Sequence, residues 1–154
     1  MEDFSTQLNV LLVDTFNSIL RMEESMLKSA GGANLSIGEM HLLEAVGKGD
    51  PEGCTISSLA KERSVTLPSV TVAVNKLVKK GYVEKQRCEE DSRSVRVRLT
   101  QQGRRAERMH SYFHEKMVEA VAKSLEEDEK SVLLKGIIKL NDFFSKKAVS
   151  QEAL

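Results

Sequence analysis

A segment rich in β-branched residues lies in the middle of the chain, from Ser64 to Lys85, and reads SVTLPSVTVAVNKLVKKGYVEK. Val and Thr favour pleated strands, so composition alone predicts a strand here. The apolar residues nevertheless recur at intervals of three and four, which is the period of an amphipathic helix; they are Val70, Ala73, Val74, Leu77 and Val78. The spacing therefore predicts a helix, and packing of its apolar face must supply the stability that its helix propensity lacks.

Local start and stop signals define the ends of this helix. Thr66 is a suitable N-cap, and Pro68 falls in the first turn, where its missing N–H costs nothing. Gly81 follows the last helical residue as a C-cap. The segment is thus predicted to be a helix with defined ends.

Three helices are predicted before this one, and the third of them is short. Residues 3–28 show helical apolar spacing that stops at Gly31 and Gly32. Ser36 with Glu39 three residues later forms a capping box for a second helix that runs to about residue 46. A short helix then follows, capped by Thr55 or Ser57.

A charged hairpin and two long helices are predicted after the central helix. The segments YVEKQRC and SVRVRLT both alternate with period two, which is typical of a β-hairpin. Thr100 caps a helix from about residue 101 to 123, and a last helix runs from about residue 126 to 147. That last helix carries an apolar stripe too wide for the surface helix of a small monomer. The predicted fold class is mainly α with a small β-hairpin wing.

The formal net charge of zero conceals a basic middle segment. From Lys61 to Arg105 the chain has twelve Lys and Arg against five Asp and Glu, a net charge of +7, and the remainder carries −7. A basic segment between acidic ends indicates a polyanion-binding region, although charge blocks also arise by chance on solvated faces.

The order of helix, short helix, capped helix and charged hairpin predicts a winged helix-turn-helix, in which the third helix enters the DNA major groove. The face of that helix opposite Val70 consists of Pro68, Val72, Asn75, Lys76 and Lys79, flanked by Ser69 and Thr71. In a groove, Val72 is suited to contact a thymine methyl group and Asn75 to pair with adenine. The two hydroxyl residues suit bases or phosphates. The alternative for Val72 is packing against a neighbouring loop, since single exposed apolar residues are common.

Two segments carry a family resemblance that covers nearly the whole chain. DSRSVRVRLTQQGR resembles the wing signature of the MarR family of bacterial regulators, and VNKLVKKGYVEK resembles the end of its recognition helix. The resemblance implies a homodimer with residues 1–30 and 124–148 as dimerisation helices, a winged helix-turn-helix at 36–100 and a linking helix at 101–123. It also implies that Arg93 at the wing tip enters the minor groove and that Asp91 holds it. Arg96, on the wing strand, is a further predicted DNA contact. Many members carry a basic residue where this chain has Val72. Their operator sequences therefore do not predict the operator of this protein.

Three segments resemble one branch of that family more closely: LSIGEMHLLEAVGKG, VTLPSVTVAVNKLVKKGYVEK and RMHSYFHEKMVEAV. This branch represses fatty-acid synthesis genes in Gram-positive bacteria, with long-chain acyl groups on acyl carrier protein as corepressor. The resemblance implies an acyl tunnel between the first helix and the core, lined by Met22, Met26 and Leu27. The alternative is that these three residues are ordinary core or dimer contacts.

The three histidines allow a metal site as a second interpretation of the effector. His110 and His114 lie one turn apart on a predicted helix, a spacing that suits a tetrahedral metal. Zinc-sensing MarR regulators are similar in having an acid from the first helix, here Glu23 or Glu24, a His in the second, here His41, and a His pair in the fifth. Packing with ordinary hydrogen bonds accounts for the same residues, and such motifs often match by chance.

Other function classes find little support. GKGDPEG lacks the ending of a P-loop, and the chain has no nucleophile elbow, so we expect no enzyme activity. Cys54 and Cys88 lack metal-site spacing, and Glu89 and Glu90 oppose thiolate formation at Cys88. No apolar run is long enough to cross a bilayer, and the acidic first residues do not resemble a signal peptide, so we expect a cytoplasmic protein with no membrane partner.

The sequence therefore predicts a homodimeric repressor that binds a pseudo-palindromic site on double-stranded DNA. An acyl chain on acyl carrier protein is the first-choice effector, and zinc is the runner-up. A non-regulatory protein-interaction module built on the winged domain is the competing class. The operator, the regulated genes and the direction of the effector response do not follow from the sequence.

Overall fold

The computed structural model of the chain describes residues 3–31, 34–89 and 94–149, with side chains described up to residue 146. It divides into two compact units, one ending at His110 and one beginning at Ser111. The helices are α1 (Phe4–Ser29), α2 (Ile37–Lys48), α3 (Ile56–Arg63), α4 (Leu67–Lys80), α5 (Gln101–Lys123) and α6 (Glu127–Val149), and the strands are β1 (Cys54–Thr55), β2 (Val83–Arg87) and β3 (Val95–Leu99). The fold is a winged helix-turn-helix, as predicted.

The helix boundaries follow the predicted capping signals. The Ser36 side chain accepts from the backbone N–H of Glu39, whose carboxylate accepts in turn from the backbone N–H of Ser36. The Thr55 and Thr66 side chains cap α3 and α4 by accepting from the backbone N–H groups of Ser58 and Ser69. Gly81 ends α4 with φ of 83°, a left-handed conformation that glycine adopts without steric cost. The central helix therefore begins and ends where its sequence predicts.

The β-branched helix α4 is stabilised by tertiary packing. Its buried residues Val70, Val74 and Leu77 belong to one hydrophobic core with Met40 and Leu43 of α2. Stiff, compact side chains on this face fill the core at little cost in rotamer freedom. Burial of the face thus offsets the modest helix propensity of its residues.

The wing is a three-stranded antiparallel sheet in the order β1-β3-β2. Val97 in the central strand pairs with Cys54 on one side and with Lys85 on the other. The sequence predicted only the two hairpin strands. The two-residue strand β1 was missed because such a short strand shows no alternation of its own.

The second unit contains the end of α5 and the whole of α6, and its apolar side chains are largely exposed. On α6 these include Val132, Leu133, Leu134, Ile137, Ile138, Phe143 and Phe144. The first unit shows a similar surface on α1, at Phe4, Leu8, Leu11, Leu12 and Phe16. In the described ranges, no helix has the length and apolar character needed to cross a membrane.

Candidate nucleic-acid interface

The predicted DNA face of α4 is open to solvent. Pro68, Ser69, Thr71, Asn75, Lys76 and Lys79 are all exposed. Val72 is 55% exposed, so its side chain is available to a partner and the packing alternative finds no support here. The helix therefore presents apolar, amide and cationic groups together on one accessible surface.

Hydrogen bonds at the start of α4 orient the two hydroxyl side chains. The Oγ atoms of Ser69 and Thr66 lie 2.8 Å apart, so Ser69 is held beside the N-cap. The Thr71 hydroxyl donates to the carbonyl of Leu67 at 2.9 Å. With its proton used inside the helix, Thr71 presents a methyl group and acceptor lone pairs to a partner.

Asn75 is oriented by a residue that sequence reasoning did not assign. The Lys85 ammonium group on β2 donates to Oδ1 of Asn75. This contact leaves both amide protons of Asn75 and one carbonyl lone pair free to face a base. Lys85 lies in the basic segment of the sequence. Its contact with Asn75 becomes visible only in the structure, where β2 packs against α4.

Arg96 lies against the loop before β1. Its guanidinium donates to the carbonyl of Gly53 at 2.9 Å and is 3.8 Å from a carboxylate oxygen of Asp50. The pKa of Arg96 is raised above its ordinary value. The largest cause is a hydrogen bond to Cys88, and nearby negative charge contributes less. Arg96 thus anchors the wing, and its predicted role on DNA stays a prediction. The predicted wing-tip pair Asp91 and Arg93 lies outside the described residues.

The three residues predicted to line an acyl tunnel lie in different environments. Leu27 is buried in the hydrophobic core, and Met26 is partly buried against that core. Met22 is 47% exposed. The end of α1 therefore contributes Leu27 to core packing, as the alternative interpretation expected, and it leaves Met22 free for another contact.

A buried carboxylate joins two of the predicted metal ligands. Oε1 of Glu23 is 2.9 Å from Nε2 of His110 and 3.2 Å from Nε2 of His41. Glu23 is 2% exposed and His110 is 1% exposed. One potential ligand atom from each of the three residues lies within 4.8 Å of the others. Helices α1, α2 and α5 thus bring one oxygen and two nitrogen donors together, a set that zinc binds.

Glu24 and His114 are the other two predicted ligands, and their part in a metal site stays a prediction. Glu24 is exposed, and His114 belongs to the second unit, where its ring packs edge-on against Phe113 with centroids 5.4 Å apart. Glu44, which the sequence did not suggest, has a carboxylate oxygen 3.6 Å from Nδ1 of His110. Burial acts to raise the pKa of Glu44, but the hydrogen bond and charge of Lys48 and the nearby histidines lower it overall.

Comparison with known proteins places this architecture among bacterial regulators. The MarR family matches residues 33–94. The structure of Streptococcus pneumoniae FabT in complex with DNA is similar, with 37% identity and a TM-score of 0.88 over 92% of this chain and 98% of that chain. The HTH-type transcriptional regulator BilQ of Clostridium symbiosum is 33% identical over 69% of this chain and 72% of BilQ.

A shorter match concerns a Bacillus protein of the same type. The uncharacterized HTH-type transcriptional regulator YhjH of Bacillus subtilis is 27% identical over 84 residues. These residues amount to 54% of this chain and 47% of YhjH, so the match spans about half of that relative.

Proposed function

This chain belongs to the MarR family, and we propose that it is a homodimeric repressor that binds a pseudo-palindromic site on double-stranded DNA. The observation that carries this proposal is the division of α4 into two faces. Val70, Val74 and Leu77 fix the helix to the core, while Val72 and Asn75 remain exposed with the neighbouring lysines. A helix held by one face with base-reading groups on the other is suited to the major groove.

The chemistry of this face separates affinity from sequence preference. Lys76 and Lys79 are suited to phosphates, whose contacts position the protein without reading sequence. Val72 and Asn75 are suited to a thymine methyl group and an adenine edge, which differ between base pairs. Similarity to FabT, whose solved structure is a DNA complex, supports this assignment.

The proposed dimer rests on the exposed apolar surfaces of α1 and α6. Large apolar patches are uncommon on soluble monomers and commonly mark protein interfaces. Two-fold symmetry then accounts for a pseudo-palindromic operator, because the two recognition helices meet successive major grooves about 34–36 Å apart. An effector regulates such a dimer only by binding one helix separation more tightly than another.

DNA binding is tested by selecting an operator from a random-sequence library with the wild-type protein and measuring its affinity. We expect the selected sequence to be pseudo-palindromic and to bind at least about a thousandfold more tightly than unrelated DNA. Arg93→Ala should weaken binding to this operator while the dimer stays folded, as the family resemblance implies for a wing-tip arginine. Failure to enrich any sequence would favour the protein-interaction module instead.

Repression of fatty-acid synthesis genes, with acyl chains on acyl carrier protein as effector, is the finer part of the proposal. It is supported by the resemblance of the segments from Leu35 to Gly49 and from Val65 to Lys85, and by the similarity to FabT. Acyl carrier proteins are acidic, and the segment from Lys61 to Arg105 is basic. Met22 offers an exposed, adaptable thioether at the end of α1.

Chain-length dependence tests this effector. Each buried methylene contributes about 0.8 kcal/mol, so two further carbons should strengthen the effect on operator affinity by roughly tenfold until the tunnel is full. The measurement is operator affinity with a series of acyl carrier proteins of increasing chain length. Equal affinity with a long-chain acyl carrier and with the unacylated carrier would exclude acyl sensing but would leave DNA binding intact.

Zinc-responsive repression is the second candidate, and the Glu23, His41 and His110 cluster favours it. The residues fit a zinc ion in donor type and proximity, and a fourth position would remain for water or another side chain. We expect His41→Ala and His110→Ala each to abolish any zinc dependence of operator binding. If the purified protein holds no metal and a chelator leaves operator affinity unchanged, the cluster is structural.

A further inference from the structure

Asn34, in the segment between α1 and α2, is held by the two residues that flank the end of α4. The Tyr82 hydroxyl donates to Oδ1 of Asn34 at 2.7 Å. The Lys80 ammonium group donates to the backbone carbonyl of Asn34. Between these two residues lies Gly81, the left-handed C-cap of α4. The last turn of α4 is therefore attached to the chain that leads out of α1.

Glu39 adds a third attachment at the same place. Its Oε2 accepts from the Lys80 ammonium group at 2.7 Å and from the backbone N–H of Ser36 at 3.0 Å. The side chain of Glu39 is 9% exposed and that of Lys80 is 31% exposed, so water screens this ion pair only partly. One carboxylate thus caps α2 and also binds the end of α4.

These contacts distinguish Lys80 from its neighbours on the same helix. Lys76 and Lys79 are exposed on the proposed DNA face. The Lys80 ammonium group instead has two protein acceptors, the backbone carbonyl of Asn34 and the carboxylate of Glu39. A lysine whose donors are satisfied in this way is poorly placed to neutralise a phosphate, because it would first have to leave both acceptors.

We propose that Asn34, Glu39, Lys80 and Tyr82 form a clamp that sets the orientation of α4 for the major groove, with Lys80 as a positioning residue and not a DNA contact. The proposal rests on the DNA-binding function proposed above. A small rotation of α4 would move Val72 and Asn75 away from their bases, whereas flexible lysines would still reach phosphates. The clamp should therefore affect specific binding more than binding to unrelated DNA.

Lys79 provides a matched control for Lys80, because it is the same residue one position earlier. Affinity for the selected operator is measured between about 50 and 200 mM salt for wild type, Lys79→Met and Lys80→Met. Lys79→Met should lower the salt slope by about one unit and weaken all sequences alike. Lys80→Met should weaken operator binding by roughly tenfold, the loss expected for a charged hydrogen bond, with an unchanged salt slope.

Two further variants separate positioning from general destabilisation. Glu39→Gln keeps an oxygen that caps Ser36 but removes the ion pair, so it should reproduce part of the effect of Lys80→Met without changing any basic residue. The double variant should lose no more affinity than Lys80→Met alone, because Lys80→Met already removes the ion pair that Glu39→Gln breaks. Lys80→Arg, which retains the charge and the donors, should recover most of the operator affinity.

Each result either supports or contradicts the proposed clamp. A lowered salt slope in Lys80→Met would make Lys80 a phosphate contact, and unchanged affinity in Lys80→Met would show that the clamp does not orient α4. A variant that is only less stable would bind with wild-type affinity in its folded fraction, and this result also overturns the proposal. If the wild type itself prefers no DNA sequence, the proposed function fails instead of the clamp.

Discussion

The ammonium group of Lys85 on strand β2 donates to the side-chain carbonyl of Asn75 on helix α4. The wing and the recognition helix therefore share a contact at a residue suited to reading adenine. Because an asparagine pairs with adenine through both its amide and its carbonyl, a fixed amide plane reduces the entropy lost on binding. Lys85 thus orients, in the free protein, the amide that we propose to read a base.

Asn75→Ala should relax preference at one base pair in each half-site, at a cost of about 1–3 kcal/mol for the favoured sequence. Lys85→Met should cause a smaller loss of preference at that same position, since Asn75 remains but is free to rotate. The measurement is affinity for operators carrying each of the four base pairs there. If Lys85→Met leaves the preference at that position unchanged, or if the two variants act at different positions, the contact has no part in readout.

Val72→Ala should weaken preference for thymine at one position while leaving the salt dependence of binding unchanged. The physical reason is that Val72 carries no charge and offers methyl groups to the thymine methyl group. Replacing that thymine with uracil, which lacks the methyl group, is the matched change on the DNA. Wild type should lose affinity with uracil, and Val72→Ala should lose much less. A uniform loss for every sequence in Val72→Ala would instead indicate a structural role.

The sequence was sufficient to predict α4 because its determinants are local. Thr66, Pro68 and Gly81 define its ends through their own backbone preferences, and the interval between apolar residues identifies the buried face. The strand β1 could not be predicted, because its pairing with β3 joins residues about forty positions apart and leaves no periodic pattern.

Side-chain partners from distant elements were harder to predict than the elements themselves. Glu23 and His110 are 87 positions apart, and their pairing was suggested only as part of a metal-site resemblance. That resemblance also named His114, whose part in the cluster stays a prediction, and it did not name Glu44, which lies near His110. Lys80 appeared to be one more cation in a basic segment. Its contact with Glu39 depends on how α2 packs against α4, which charge patterning cannot show.

The ion pair of Glu39 predicts a specific dependence of stability on pH. Burial acts to raise the pKa of Glu39, but the hydrogen bonds from Lys80 and Ser36 and the nearby lysine charges lower it below 4.5. A group whose pKa is lower in the folded state stabilises the fold above its unfolded pKa, and this contribution is lost as pH falls through the folded value. The contribution of Glu39 should therefore be complete at neutral pH and should decline below 4.5.

Glu39→Gln isolates this contribution from that of the other carboxylates. We expect wild type to be more stable than Glu39→Gln at neutral pH by about 1.5–3 kcal/mol, the range for a charged hydrogen bond. The difference should shrink as the pH falls below 4.5. The measurement is urea unfolding at a fixed protein concentration, because dimer stability depends on concentration. Two stability curves that stay parallel through the acid range would show that Glu39 has no shifted pKa.

Gly103 on helix α5 lies close to the backbone of Tyr82, the residue before strand β2. A Cβ atom at this position would lie 2.0 Å from the carbonyl oxygen of Tyr82, which accepts the backbone N–H of Thr100 at 3.0 Å. Gly103→Ala must therefore displace backbone, and we expect it to lower the free energy of unfolding by about 1–3 kcal/mol or more. Gly38→Ala is the control, since its nearest neighbouring atom is 4.0 Å away, and it should stabilise α2 by about 0.5–1 kcal/mol. Urea unfolding of both variants checks the pair, and a Gly103→Ala protein as stable as wild type would show that α5 does not approach Tyr82 this closely.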